Sequence, residues 1–239
     1  MKGLSVQGSA VGAVAQADAI VAKAKAGGIS ALFYNVSAAY MPSSSFDRLG
    51  ALIEAGHAAG LEVGVWLCPG ADPYFTRRWP VSGGGFTDYG NVDARGAMAE
   101  GVAGLVARYG IDIVVADYIR GPVIDSTVYS ADDVTAAVYG MEAAAGEERA
   151  FVVTVKPYKN DWIRWLQDWP TWIKTWVAQG KKRRYAMPLV YSPTKYGDFA
   201  PHVQAWLDAG VPLEAIMPKM SMINTQIAGE KTPKTLAAW

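Results

Sequence analysis

The sequence predicts an α/β chain of the TIM-type (β/α)8 class, and three observations carry that expectation. Short β-type runs alternate with longer helical patterns from end to end, the mark of repeated βα units. Most helical patterns stop at a glycine, namely Gly27, Gly60, Gly110, Gly146, Gly180 and Gly210, the residue that best relieves a helix C-terminus. The length, 239 residues of which 51% are hydrophobic, suits one barrel with a large core better than two small domains. Right-handed crossovers would carry consecutive parallel strands round into a barrel, although the same alternation is compatible with an open doubly wound sheet.

Seven strands are read in order from their β-branched and aromatic content: 4–7 (LSVQ), 29–36 (ISALFYNV), 61–68 (LEVGVWLC), 111–119 (IDIVVADYI), 150–155 (AFVVTV), 185–191 (YAMPLVY) and 214–220 (EAIMPKM). Between them, helical patterns run over 10–26, 46–59, 95–109, 131–145, 161–179 and 199–209. The barrel is assigned to residues 1–222. Residues 223–239 form a tail without a β-branched run, so the eighth strand is weak or missing. The longest strand-to-helix connection follows Cys68 and Pro69. It is rich in aromatics, which argues against disorder, and its Gly83, Gly84 and Gly85 lack the Gly-Lys-Ser/Thr of a phosphate loop. Those glycines are read as a hinge in a lid.

Composition excludes several classes of function. Basic and acidic residues balance at 22 each, so no basic footprint for nucleic acid or anionic membranes is present. The single cysteine, Cys68, implies no disulfide. No run reaches the roughly 20 apolar residues needed to span a bilayer and no export signal is visible. The expectation is a soluble chain, cytoplasmic by default unless it is a fragment or a virion component. The only histidines, His57 and His202, fall in predicted helices at no ligand spacing, which leaves neither a metal cluster nor a Ser-His-Asp arrangement, and no cofactor is implied. Oligomeric state is not encoded in any motif.

The chemistry is expected at the end of the fourth strand, where an apolar run meets a carboxylate, an aromatic, a guanidinium and a proline: Asp117, Tyr118, Arg120 and Pro122. A strand of a parallel sheet is covered on both faces, and a charge at its carboxyl end falls where α/β proteins bind ligands. If Asp117 points into the barrel, period-2 alternation sends Ile113 and Val115 inward with it. The same counting brings Gln7, Asn35, Trp66, Lys156, Tyr191 and Lys219 to the rim. A carboxylate among aromatics in an open cup suits glycoside chemistry, where an ionised acid stabilises or attacks an oxocarbenium-like centre and a second carboxyl protonates the leaving oxygen. Trp66, Trp79, Tyr118, Trp162 and Tyr191 are candidate sugar platforms. Trp165, Trp169, Trp172 and Trp176 share one predicted helix and are assigned to packing.

The segment DYIRGP, Asp117 to Pro122, resembles the "DYIRYP"-type fourth-strand motif of the glycoside-hydrolase-like TIM barrels. A second match is QDWPTWIKTWVAQGKKRRYAMPLVYS, a tryptophan-rich helix followed by a strand carrying Met187, Pro188 and Tyr191. Further similarity runs through AGHAAGLEVGVWL, NVDARGAMAEGVAGLVARYGID and WLDAGVPLEAIMPKMS, so that it covers most of residues 4–222 in order. The resemblance implies hydrolysis of a polysaccharide or oligosaccharide, with Asp117 as nucleophile or stabilising carboxylate and Tyr118, Arg120 and Tyr191 shaping the site. The chain departs from the group at Asn35, where an acid is common, at Gly121 in place of an aromatic, and at Lys156 in place of a glutamate.

The second acid is the gap. Asp125, just beyond Pro122, and Asp88 in the long connection are the catalytic candidates beside Asp117, and Asp72 is a third, although loop acids more often cap or face solvent. Asp93 reads as a helix cap. Arg120 and Lys156 have two readings, either contacts to sugar hydroxyls or charges that balance Asp117 as ion pairs. Three functions follow. The first is a glycoside hydrolase; the second is a degenerate barrel that binds sugar or serves assembly without cleaving; the third is a Schiff-base lyase using Lys156 or Lys219.

Overall fold

A computed structural model describes residues 3–6, 11, 14–36, 47–81, 85–120, 129–190, 200–217 and 219–220. Seven parallel strands form one sheet whose spatial order equals their order in the chain: β1 (Gly3–Val6), β2 (Ala31–Asn35), β3 (Glu62–Leu67), β4 (Ile113–Ala116), β5 (Ala150–Val155), β6 (Arg184–Val190) and β7 (Lys219–Met220). That order has no reversal point and so departs from the doubly wound arrangement; it is the order of a TIM-type barrel. Among the described residues no eighth strand closes the sheet back onto β1, and the tail 223–239 lies outside them.

The helices are α1 (Val14–Ala26), α2 (Arg48–Ala58), α3 (Pro73–Arg78), α4 (Val92–Arg108), α5 (Ala131–Ala145), α6 (Lys159–Arg164), α7 (Trp169–Ala178) and α8 (Ala200–Asp208). Local chemistry fixes their starts. Asp47 accepts from the Gly50 amide to begin α2, and Ser130 with Asp133 forms a reciprocal capping box at α5. Asn91, and not Asp93, caps α4, accepting from the amides of Asp93 and Ala94. After α1 the residue of positive φ is Gly28, one beyond the expected Gly27, and no positive φ occurs at Gly110.

Two predicted elements are corrected. The single helix expected over 161–179 is two helices, α6 and α7, because Leu166 adopts φ 58° and Pro170 stands at the first turn of α7, where it restricts the residue before it. The strand expected over 214–220 shrinks to Lys219–Met220, since Leu213–Ala215 forms a 3-10 turn after Pro212. An isolated bridge from Ile216 to Ala186 is what remains of the pairing before it.

Period-2 alternation sorts the strands into two cores. Ala31, Phe33, Trp66, Ile113, Val115, Ala150, Val152 and Met187 pack together on the inner face. Their neighbours Leu32, Val65, Val114, Ala116, Phe151 and Val153 join the larger core under the helices, with Trp169, Trp172 and Trp176. Those three tryptophans are buried, so packing accounts for them. Close approach is strict on β3, where a Cβ on Gly64 would stand 2.6 Å from the Ile113 carbonyl oxygen.

A buried charge network occupies the strand starts. Glu142 of α5 and Arg184 at the head of β6 are both about 2% exposed at the side chain. Arg184 Nε donates to Glu142 Oε1 at 2.6 Å and Lys181 Nζ donates to Oε2 at 2.5 Å. The other Arg184 nitrogens donate to the carbonyls of Arg149, Lys182 and Gly146. At the same end Asp112 accepts from the Val63 amide at 2.7 Å and pairs with His57 at 2.8 Å. Removing one partner of a buried pair strands the other. Glu142→Ala is therefore expected to lower folding stability by about 3–5 kcal/mol, read as a shift in the urea midpoint.

Candidate functional site

The site is built where β3, β4 and β5 end. Asp117 follows the last residue of β4, is 8% exposed, and ties its amide to the Leu67 carbonyl of β3 at 2.7 Å. Its side chain points to the inner face, in line with Ile113 and Val115. Trp66 Nε1 donates to Asp117 Oδ2 at 3.0 Å, the Tyr118 amide donates to Oδ1 at 2.7 Å, and the Thr154 hydroxyl donates to the same Oδ1. Three donors from three strands or their ends thus fix the orientation of one carboxylate. Asp117 makes no ion pair with a described residue, so the expected balancing by Arg120 or Lys156 does not occur.

The next residue bends the chain. Tyr118 has φ 55°, a left-handed conformation rarely adopted by an aromatic residue and often found at ligand sites. Two contacts hold it. Its carbonyl accepts from Tyr89 Oη at 3.0 Å and from the Arg120 amide at 3.0 Å, while Gly70 lies so close that a Cβ there would fall 1.9 Å from the same oxygen. The turn leaves Tyr118 38% exposed at the rim.

Arg120 stacks instead of pairing. Its guanidinium carbon lies 4.4 Å from the Tyr118 ring centroid and 4.8 Å from that of Trp165, while Lys156 Nζ lies 5.3 Å from the Trp165 centroid. Gln167, 2% exposed, sits beneath this layer. Its Oε1 accepts from the Lys156 amide at 2.9 Å and its Nε2 donates to the carbonyls of Ile119 at 2.9 Å and Thr154 at 3.3 Å. One amide side chain therefore joins the ends of β4 and β5. The residues Asp117, Tyr118, Arg120, Thr154, Val155, Lys156, Gln167 and Leu189 line a depression of about 170 Å³, counting space open to solvent.

The other expected site residues divide into three groups. Trp66 is buried against Phe33 with ring centroids 6.2 Å apart, and Trp162 is buried against Trp169, so neither is an open platform. Trp79 is partly buried on Phe75. Asn35 is exposed at the end of β2, opposite Trp66 in the register. Asp88 accepts from the Gly90 amide in a local turn, and Asp72 caps α3 by accepting from the Tyr74 amide. Gln7, Asp125 and Tyr191, with the Gly83 and Gly84 of the expected hinge, lie outside the described residues, as does the side chain of Lys219. The described part of the long connection packs down, burying Phe75 and Tyr89 and donating from Thr87 Oγ1 to the Pro69 carbonyl at 2.9 Å.

Sequence reasoning misses Thr154, Gln167, Trp165 and Tyr89 as site residues. Thr154 is recoverable, since it stands two residues before Lys156 on the same face of β5. Gln167 and Trp165 are hidden inside a run that reads as one helix. Among the described residues no group of three or more His, Cys, Asp or Glu gathers to hold a metal ion, and no helix is long and apolar enough to cross a membrane.

Solved structures of similar fold include glycosidase barrels. A family GH18 chitinase from Cycas revoluta aligns at a TM-score of 0.65 and 13% identity, covering 98% of this chain and 74% of the other. The chitinase domain of the spore coat protein CotE from Clostridium difficile aligns at 0.64 and 12%, covering 98% and 68%. A hypothetical protein from Ruminiclostridium thermocellum aligns at 0.51 and 18%, covering 63% of this chain and 96% of the other. No family model and no curated protein matches the sequence. The shared feature is the TIM-type α/β-barrel fold.

Burial raises the Tyr89 phenol well above its usual range, with the neighbouring Tyr129 adding to the shift. The fold thus favours the neutral phenol. That contribution is complete below the unfolded value of about 10 and is lost as pH climbs toward the higher native value. Tyr89→Phe is expected to cost about 1 kcal/mol at pH 7 through the lost bond to the Tyr118 carbonyl. Denaturant curves at pH 7, 9 and 10.5 should show the gap between variant and parent narrowing above pH 10.

Proposed function

We propose that the chain is a carbohydrate-active barrel that cleaves glycosidic bonds at the cup around Asp117. The observation that carries this reading is the three-donor cradle that presents one carboxylate, held in a single orientation, at the carboxyl end of β4 beside an exposed aromatic ring. All three neighbours donate to Asp117, an environment that suits a carboxylate stabilising or attacking an oxocarbenium-like centre better than one delivering a proton. Tyr118, exposed at the rim, offers an aromatic surface for a sugar. The likeness to chitinase folds makes β-linked amino sugars the first class of substrate to test.

A second reading, sugar binding without cleavage, is favoured by one observation: among the described residues lining the depression, Asp117 is the only carboxylate. Asp125, which lies outside the described residues, remains the candidate for the acid partner, and Asp88 would have to leave its turn to serve. The Schiff-base alternative calls for a lysine in an apolar enclosure. Lys156 instead lies half-buried over the Trp165 ring.

Asp117→Asn keeps the shape and removes the charge. With chitin oligosaccharides and a panel of plant and bacterial polysaccharides as substrates, release of reducing ends is expected to fall by on the order of 10²–10³ or more, with the far-UV spectrum retained. Undiminished release would remove Asp117 from the mechanism. Binding by the parent chain with no product over long incubation would favour the second reading.

A further inference from the structure

We infer that the cup takes an anionic sugar, whose carboxylate or sulfate ester is held by the guanidinium of Arg120. This rests on the carbohydrate reading above and narrows it to a substrate class. Arg120 is the residue whose placement hydrolysis alone leaves unexplained. Its side chain makes no hydrogen bond or ion pair with a described residue, and its Nε is buried without an acceptor. A native structure rarely leaves a buried charged donor unmatched unless the position serves something else.

The obvious protein partner is already engaged. Asp117, three residues earlier, takes its hydrogen bonds from Trp66, Tyr118 and Thr154 and none from Arg120. Among the described residues, no carboxylate therefore forms an ion pair with this guanidinium. Meanwhile the guanidinium lies against two aromatic rings, its carbon 4.4 Å from the Tyr118 centroid and 4.8 Å from that of Trp165. Ring contacts use no N–H donor, and the planar fork of a guanidinium matches the two oxygens of a carboxylate. Lys156 Nζ lies 5.3 Å from the same Trp165 centroid.

The test compares matched ligands on the full chain by titration calorimetry. Oligogalacturonates and unsulfated glucuronate-containing oligosaccharides are set against their carboxyl-reduced counterparts, with O-sulfated neutral oligosaccharides as a separate arm. The expected result is binding at least tenfold tighter for the anionic member of a pair, weakening as salt rises. A preference for the carboxylated arm or for the sulfated arm identifies which oxyanion is read. Arg120→Lys retains the charge but loses the fork, and should abolish the preference of the parent chain for the anionic member.

Equal binding of anionic and neutral members, or binding and cleavage of neutral sugars only, overturns this inference and leaves the carbohydrate reading standing. Failure of every oligosaccharide to bind overturns both. The matched-ligand comparison uses the parent chain, so its outcome does not depend on the folding of a variant.

Discussion

The cradle around Asp117 is the constraint on which the rest of the site depends. A carboxylate at a strand end in a nearly dry position must be matched by donors, and here they come from β3, from its own chain and from β5. The indole of Trp66 is therefore committed to the barrel interior and to Asp117 at once, which removes it from the surface a sugar would meet. Thr154 is likewise fixed by a partner on the neighbouring strand end. Because each donor belongs to a different strand end, the carboxylate's position reports on the register of the sheet itself.

Around that centre the structure divides its polar groups by direction. Groups that face inward at the strand ends serve Asp117 or line the depression, whereas Asp47, Asn91 and Ser130 work at helix starts. Tyr118 mediates between the two regimes. Its left-handed backbone is held from outside by Tyr89 and Gly70, both in the connection after β3, and it turns its own ring and the following Arg120 toward the rim. The long connection thus acts on the site by shaping a carbonyl, and its described acids are occupied with local turns and caps.

Much of this is legible in the sequence, for identifiable reasons. The strand over 150–155 is plain because an uninterrupted apolar and β-branched run leaves no other solution, and the inward direction of Asp117 follows from counting in twos from Ile113. The helix over 131–145 is equally plain from its serine cap and its glycine stop. Legibility ends where tertiary contacts outweigh local pattern. The tryptophan spacing over 162–176 looks like one helical face, yet Leu166 turns left-handed and sends Gln167 inward to bridge two strand ends. No single-residue propensity announces that. Sequence proximity favours pairing of Arg120 with the acid beside it, and the competing attraction of two aromatic faces is invisible until the fold brings Trp165 across. Asp88 and Asp72 have the composition of catalysts, but their short side chains are claimed by amides two residues away.

The buried Glu142–Arg184 pair has a further consequence. Anchored at the floor of the cylinder, that network is separate from the ties made by Asp117 and Gln167 at the opposite mouth. Its loops are the natural place to graft new segments, and a designer wishing to retune ligand preference could exchange them while the foundation keeps the staves aligned.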